Sequence, residues 1–584
     1  MDGASSSAAA AIKTDTKRPQ TAAAGLFSPI NDDLLQKILS RLPALSFASA
    51  ACVSKSWNQI CSRILTRPKL ASALSLHPSP KVAVKEAIEK VLAEPIRPHF
   101  VVANIGSGFG LYDISKLISK KLGSSVPFII STSSGIFGRD ALTHEFKEVK
   151  WGEVCGDGID EDCSIPAKDA NYGILLTVGF VPGLKVDAIP LLQTIKDPRE
   201  VLLDKFIMDI KDYTASVSDC TSPVGIMMFG DGLRDMKPIV DALDYAMPAE
   251  TVIVGDERGR FLYRSENESR NVCGSAKYFT DAVTLVFAKD KDKPHGKYLV
   301  YSFIQHRFSL VSSIGFCSIS YLHAFRSVRY KVKKEIKGIG DIQFQIALSN
   351  GVSTVGSRHK AVSVKVNDCE RSTWLTARRE GHPEILDGQQ ILDDINDELA
   401  NHVDSSDLYI GVTKRRKISI GSEKPRWITS LEYHGVVGGD DQYLYVSGVG
   451  IKTGDYFNFY RSDPETALAS CTSISSSLKK LKVNQTQKHH CHMSEVFGGF
   501  MFACCGRGEP FFGRANVDGS PFVENFSTVP LAGIFCGGEI ARGSLRLTGE
   551  SQKDSDARCT LHVYCTIYLV LSYTPAPAPA PLEH

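Results

Sequence analysis

Arg507, in CCGRGEP, and Glu539, in CGGEIA, each sit in a glycine-flanked turn at the end of an apolar run. An Arg and a carboxylate presented in this way can clamp the two ends of a zwitterion through charge-assisted hydrogen bonds. The same residue types also make a buried ion pair or two unrelated turns, and the sequence leaves those readings open. Ser133 and Ser134, in IISTSSGIFG, and the glycines of GSGFG at 106–110 fall at the carboxyl ends of expected strands. Ligands bind there in α/β sheets. Corners that need φ > 0 ask for the same glycines.

Catalytic signatures fail on spacing. GSGFG does not match a dinucleotide fingerprint, and the chain has no GxxxxGK[ST] phosphate loop. THEF at 143–146 lacks a second His four residues on, and there is no GxSxG elbow. His489, His490, Cys491 and His492 are metal-friendly types, but adjacent side chains point apart, so a polar loop is expected. The acidic run at 156–163 does not follow calcium-loop spacing. Cys504 and Cys505 read as strand packing. KRRK at 414–417 reads as a solvated basic loop, with a nuclear-import signal as the alternative. No catalysis, no cofactor and no metal are expected.

The elements that hold these residues follow from composition and periodicity. A chain of 584 residues is long enough for about four domain-sized units. With 43% hydrophobic and 23% charged residues it has the composition of a globular protein. Its 67 basic and 65 acidic side chains leave a net charge of +2, too little to recruit nucleic acid or an anionic membrane. No uninterrupted apolar run approaches the roughly 18 residues of a membrane helix. An odd count of 15 cysteines without a secretory core fits a reducing compartment, cytoplasm or nucleus.

Residues 1–26 read as a disordered Ala/Ser tail, and 574–584 as a Pro/Ala tail. Between them, 27–70 is helical. Asn31 is a candidate N-cap for a helix carrying Leu34, Leu35, Ile38, Leu39 and Leu42, which Pro43 ends. A second helical run from about Ser46 places Phe47, Ala50, Val53, Trp57 and Ile60 on one side. A unit this small with so many apolar residues needs another surface to meet. From about Phe100, strand, helix and strand alternate through FVVANIGSG, LYDISKLISKKLG, PFIISTSSG and GILLTVGF to TVIVGDERG. That alternation predicts an α/β sheet with substantial parallel pairing. Residues 338–573 have an α+β texture, ending in a strand of alternating residues from Leu561 to Leu571. Residues 297–337 carry eight basic residues and one acidic residue, Glu335, and read as retained intron sequence or an insertion.

INDDLLQKILSRLP followed by FASAACVSKSWNQI resembles the F-box, through Ile30, Leu34, Leu35, Ile38, Leu39, Leu42, Pro43, Val53, Lys55 and Trp57. Asn31 stands where that family usually has Pro, and Phe47 and Cys52 replace common leucines. The remainder resembles the FIST family. IISTSSGIFG is similar to a strand end of its N-terminal module, and GGFMFACCGRGEPFFG and VPLAGIFCGGEIA to two signatures of its C-terminal module. The resemblance implies a small N-terminal three-helix F-box followed by a two-module FIST region, at 95–296 and 338–573. It also implies a substrate receptor of an SCF-type ubiquitin ligase, bound to the adaptor and through it to a cullin scaffold. Ile30, Leu34, Leu35, Ile38, Leu39, Leu42, Pro43, Val53 and Trp57 would then bind the adaptor, and the FIST region would bind an unidentified protein substrate. The alternative it implies is a sensor of small, amino-acid-like ligands, with Arg507, Glu539, Ser133 and Ser134 as the ligand residues. No 20–29-residue leucine-rich period is present.

Overall fold

The computed structural model describes residues 31–123, 125–151, 171–193, 199–232, 235–271, 279–293, 298–304, 330–336, 340–367, 370–399, 407–418, 426–487, 494–542 and 561–576. Ile30, the N-terminal tail, the acidic run at 156–163 and His489 to His492 lie outside them.

Three helices open the described chain: α1 (Asp32–Leu39), α2 (Ala44–Ala51) and α3 (Lys55–Ile64). Asn31 caps α1 by accepting from the amide of Asp33 at 3.1 Å. The helical run expected from Ser46 is in fact two helices. They separate at Cys52–Ser54, where the Ser54 hydroxyl accepts from the amide of Trp57 and starts α3. Leu35, Leu39, Phe47, Ala50 and Ile60 form a small core of their own. Leu65 joins this core to the next one, and the Ala44 amide donates to Leu92 O at 2.9 Å.

Beyond α3, strands such as Phe100–Ile105, Ile174–Phe180 and Gly225–Gly230 are buried at every position. Such strands need cover on both faces, and three sheets stacked around one core provide it. The first sheet runs Lys69–Ser75, Ile174–Phe180, Phe100–Ile105, Phe128–Thr132, Phe261–Arg264. The second runs Leu561–His562, Glu539–Arg542, Val252–Asp256, Gly225–Gly230, Phe279–Lys289, Leu184–Gln193. The third runs Asp341–Ser349, Thr566–Thr574, Glu495–Cys504, Leu531–Cys536, Gly135–Arg139, Phe146–Lys150. Phe100, Phe229, Leu285, Phe502 and Leu569 are buried together in the shared core. Helices Pro80–Val91 and Leu111–Leu122 cover the first sheet, Arg199–Val217 and Lys237–Ala246 the second, and Pro464–Gln487 the third.

Parallel pairing is sparser than expected. Among the described residues it joins Phe100–Ile105 to Phe128–Thr132, Gly225–Gly230 to Val252–Asp256, and Glu495–Cys504 to Leu531–Cys536. The continuous apolar runs reflect a sheet on one side and a helix on the other, a burial that antiparallel neighbours share. The two expected modules also exchange strands. Gly135–Arg139 and Phe146–Lys150 complete the third sheet, whose centre comes from the C-terminal half. Glu539–Arg542 extends the second sheet by pairing with Val252–Asp256. The expected terminal strand breaks into Leu561–His562 and Thr566–Thr574 at Tyr564, whose φ of 49° lies in the left-handed region.

Residues 352–462 contain a closed six-stranded barrel that the sequence reading did not separate: Val352–Asn367, Ser372–Arg379, Leu444–Ser447, Arg426–Gly439, Leu408–Ile418 and Tyr456–Ser462. Leu375, Ile410, Val412, Phe457 and Phe459 fill it, and helix Gly388–Leu399 adds Ile391 and Ile395. KRRK lies in a barrel strand, not in a loop. Lys414 and Arg416 turn toward the buried Glu432 at 2.7 and 2.8 Å. Strands Tyr298–Ile304 and Tyr330–Ile336 pair with each other alone among the described residues.

Candidate functional site

The three-helix unit divides its expected adaptor residues into two sets. Leu35 and Leu39 are buried, Leu39 at 1% exposure, and Leu42 and Trp57 pack beside them. These four hold the helices together. Leu34 and Ile38, four residues apart and therefore on one side of α1, are 53% and 45% exposed. Pro43 and Val53 are exposed too, as is Leu45, which the sequence reading missed. Its signal was the position directly after the Pro43–Ala44 start of α2. Fully burying an exposed Leu, Ile or Val contributes about 1.5–3 kcal/mol, and Leu34 and Ile38 have about half of that still to gain, so these side chains favour a partner. Below it, an exposed Arg63–Asp32 ion pair at 3.2 Å closes α1 against α3.

The four residues weighed as ligand contacts are placed differently. Arg507 is fully buried in the turn after Glu495–Cys504. Its guanidinium donates to both Asp518 oxygens, Nη2 at 2.7 Å and Nε at 3.2 Å. It also donates to Tyr564 O at 2.9 Å and Ser349 Oγ at 3.1 Å, and lies 5.1 Å from the Phe512 ring centre. Asp518 is the carboxylate that Arg507 uses, so this side chain ties its own turn to Ser349 of the third sheet and to the connections holding Asp518 and Tyr564 instead of presenting its charge to a ligand. Ser133 and Ser134 form the corner where the chain passes from the first sheet to the third. The Ser133 hydroxyl donates to Gly135 O at 2.9 Å, and the Ser134 amide to Phe535 O. Gly135 is required there, because a Cβ would fall 2.3 Å from Val149 O.

Glu539 is different. It is fully buried, the Cys504 thiol and the Cys565 amide lie against it, and neither carboxylate oxygen completes a hydrogen bond among the described residues. Burial raises its pKa well above the usual carboxylate range, and Cys505 and Asp256 add to the shift. Asp256 stands directly opposite it. Asp256 Oδ1 accepts from the Arg258 and Gly537 amides, each at 3.1 Å, while Oδ2 has no partner among the described residues. Burial pushes the Asp256 carboxyl up to about 8. The Cys504 thiol is held well above its usual range by a hydrogen bond with Cys505 and by burial, and Cys536 by burial. Both are poor nucleophiles. Among the described residues no group of His, Cys, Asp and Glu has a metal-binding arrangement.

The comparisons identify the three-helix unit and part of the body. The F-box domain is matched over residues 27–67 and the FIST C domain over residues 434–542. The chain is 42% identical over 550 residues to the F-box/LRR-repeat protein At5g63520 of Arabidopsis thaliana, covering 93% of each. The chain belongs to the F-box protein family and carries a FIST C domain. F-box units in general bind the adaptor of an SCF-type ligase, and so a cullin scaffold, without catalysing a reaction themselves. No helix among the described residues is long and apolar enough to cross a membrane.

Proposed function

We propose that the chain is a substrate receptor of an SCF-type ubiquitin ligase. Leu34, Ile38, Pro43 and Val53, extended by Leu45 and Ile30, would meet the adaptor. The FIST sheets and the barrel would hold the protein to be ubiquitinated and degraded by the proteasome. The exposed apolar face of a small helical unit that already has its own core carries this reading. Its chemistry is proximity: a bound client is kept at high local concentration beside the ubiquitin-loaded enzyme. The test is co-purification of the full chain with an SCF adaptor, beside a chain starting after Leu65. Capture by the full chain alone supports the role, and equal capture by both refutes it.

A second reading is favoured by one observation, the fully buried Glu539, whose carboxyl has only the Cys504 thiol and the Cys565 amide against it among the described residues. A small ligand with a hydrogen-bonding group would complete its partners, and the chain would then sense that ligand in signal transduction. Thermal shift with free amino acids tests it. A ligand at 100 times its Kd adds about 2.7 kcal/mol of stability. No shift in the full chain, or the same shift in Glu539→Gln, counts against it.

A further inference from the structure

The barrel and the three stacked sheets share no hydrophobic core among the described residues. The apolar side chains packed with Leu375, Ile410 and Phe459 all belong to residues 352–462, and none of them joins a core of the sheets. The chain crosses between the two bodies twice, entering the barrel through Asn350–Gly351 and leaving it through Ser462–Asp463. These crossings lie side by side. Val352 is in register with Ser462, and the Asp463 amide donates to Gly351 O at 2.8 Å. Both are fastened to helix Pro464–Gln487. The Asn350 amide donates to Ser470 Oγ at 3.0 Å, and the Asp463 carboxylate accepts from Thr466 Oγ1 at 2.6 Å. Two adjacent element ends, held on one side, have the form of a hinge.

Away from that axis, polar side chains hold the barrel down. Lys237 of helix Lys237–Ala246 reaches Glu432 of the barrel at 3.5 Å, and Asp241 of the same helix meets Arg416 at 3.6 Å. Arg371 adds a contact to Asp235 at 3.7 Å. On the other flank the Tyr564 hydroxyl donates to Asp407, and the Tyr409 and Tyr564 rings stand 6.1 Å apart. Burial, followed by Cys504, Asp407 and Glu539, raises the Tyr409 phenol above its usual range, so this barrel side chain faces the buried seam. Motion between domains is the default where their interface is not large and hydrophobic.

The charges suit a contact that opens. Breaking a buried ion pair is costly when it leaves a charge unpaired. Here each side keeps a partner of its own: Lys237 pairs with Asp241 at 3.1 Å, and Glu432 with Lys414 at 2.7 Å and Arg416 at 2.8 Å. We infer that the barrel is a hinged cover that turns about Gly351 and Asp463 and is latched by this cluster to helix Lys237–Ala246. Opening parts Tyr409 from Tyr564 and admits solvent to the seam beside Cys504 and Glu539. The motion requires neither a client nor a ligand.

Hydrogen exchange read by mass spectrometry on the full chain, with small-angle X-ray scattering beside it, tests the hinge. Lys237→Ala with Asp241→Ala removes the body's side of the latch and leaves Glu432 its two barrel partners. Exchange at residues 562–566, remote in sequence from both substitutions, accelerates at least fivefold, and the radius of gyration rises. Residues 374–378 in the barrel and 499–503 in the third sheet keep wild-type protection. Asp241→Asn, which preserves the side chain's shape, moves both readouts the same way by a smaller amount. Unchanged exchange at 562–566 in both variants overturns the hinge. Lost protection at 374–378 overturns it too, because the cluster would then hold the barrel's fold instead of its position.

Discussion

Glu539 lies directly opposite Asp256, where the strand Glu539–Arg542 joins Val252–Asp256, so two buried carboxyls from opposite halves of the chain meet at one seam. The seam is reinforced beside them. Arg542 donates to Asp244 Oδ1 at 2.6 Å and to the carbonyls of Met247, Pro248 and Thr251, closing the end of helix Lys237–Ala246. Cations at a helix C-terminus are favourable, and this one comes from the far half of the chain.

The seam makes stability depend on pH. Asp256 is raised to about 8 in the folded chain, against about 3.9 in an unfolded one. Between those values the folded state holds a proton that the unfolded state has lost. Its stabilising contribution is therefore complete below about pH 4 and declines as pH rises toward 8. Glu539, also raised, acts with the same sign. Asp256→Asn should gain stability relative to the wild type between pH 5 and pH 8 in urea denaturation. Parallel profiles for the two proteins would contradict this.

Strand exchange makes the halves interdependent. A chain starting at residue 338 lacks Gly135–Arg139 and Phe146–Lys150, and with them the edge of the third sheet beside Leu531–Cys536. Expressed alone, it should show no cooperative unfolding. Co-expression with residues 66–296 should restore a soluble complex. A cooperative transition in the isolated half would refute the interdependence.

The Arg507 network gives a larger effect. Asp518→Ala leaves a fully buried guanidinium without its carboxylate, a loss of about 3–5 kcal/mol. Denaturant unfolding measures it. A loss below about 1 kcal/mol would show that the pair is not what holds the third sheet's turn to Ser349 and Tyr564.

Residues 297–337 remain proposed as an insertion or retained intron. Since Tyr298–Ile304 and Tyr330–Ile336 pair with each other alone among the described residues, their removal should leave the thermal midpoint and adaptor capture unchanged. A large drop in midpoint would assign the segment a structural role.

Local rules reached the helices further than the sheets. Asn31 as a cap was legible because a side-chain acceptor acts within one turn, whereas Pro43 is not the stop: α1 ends at Leu39, short of Leu42, and Pro43 is the N-cap of α2. The separation of α2 from α3 was hidden by apolar residues that kept helical spacing across Cys52–Ser54. Its signal was Ser54, three residues before the amide it caps. Leu39 and Leu34 look alike in sequence, and only the docking of α1 on α3 tells the buried one from the exposed one. The strand exchange and the barrel's closure depend on pairing between distant segments, which periodicity does not encode. Arg507 read as a possible clamp because a buried arginine and a presented one share the same glycine-flanked turn. Asp518, its partner, carries no mark in ANVDGS that distinguishes it from a loop carboxylate.

The face of α1 tests the account most directly. Full-length chain carrying Leu34→Asp and Ile38→Asp, both exposed positions, should keep the wild-type thermal midpoint and lose capture of the SCF adaptor by at least a hundredfold. Leu39→Ala, in the core, should instead cost about 2–5 kcal/mol of the helical unit's stability, separating support from contact. Undiminished capture by a well-folded Leu34→Asp/Ile38→Asp chain would contradict the assignment of this face to the adaptor.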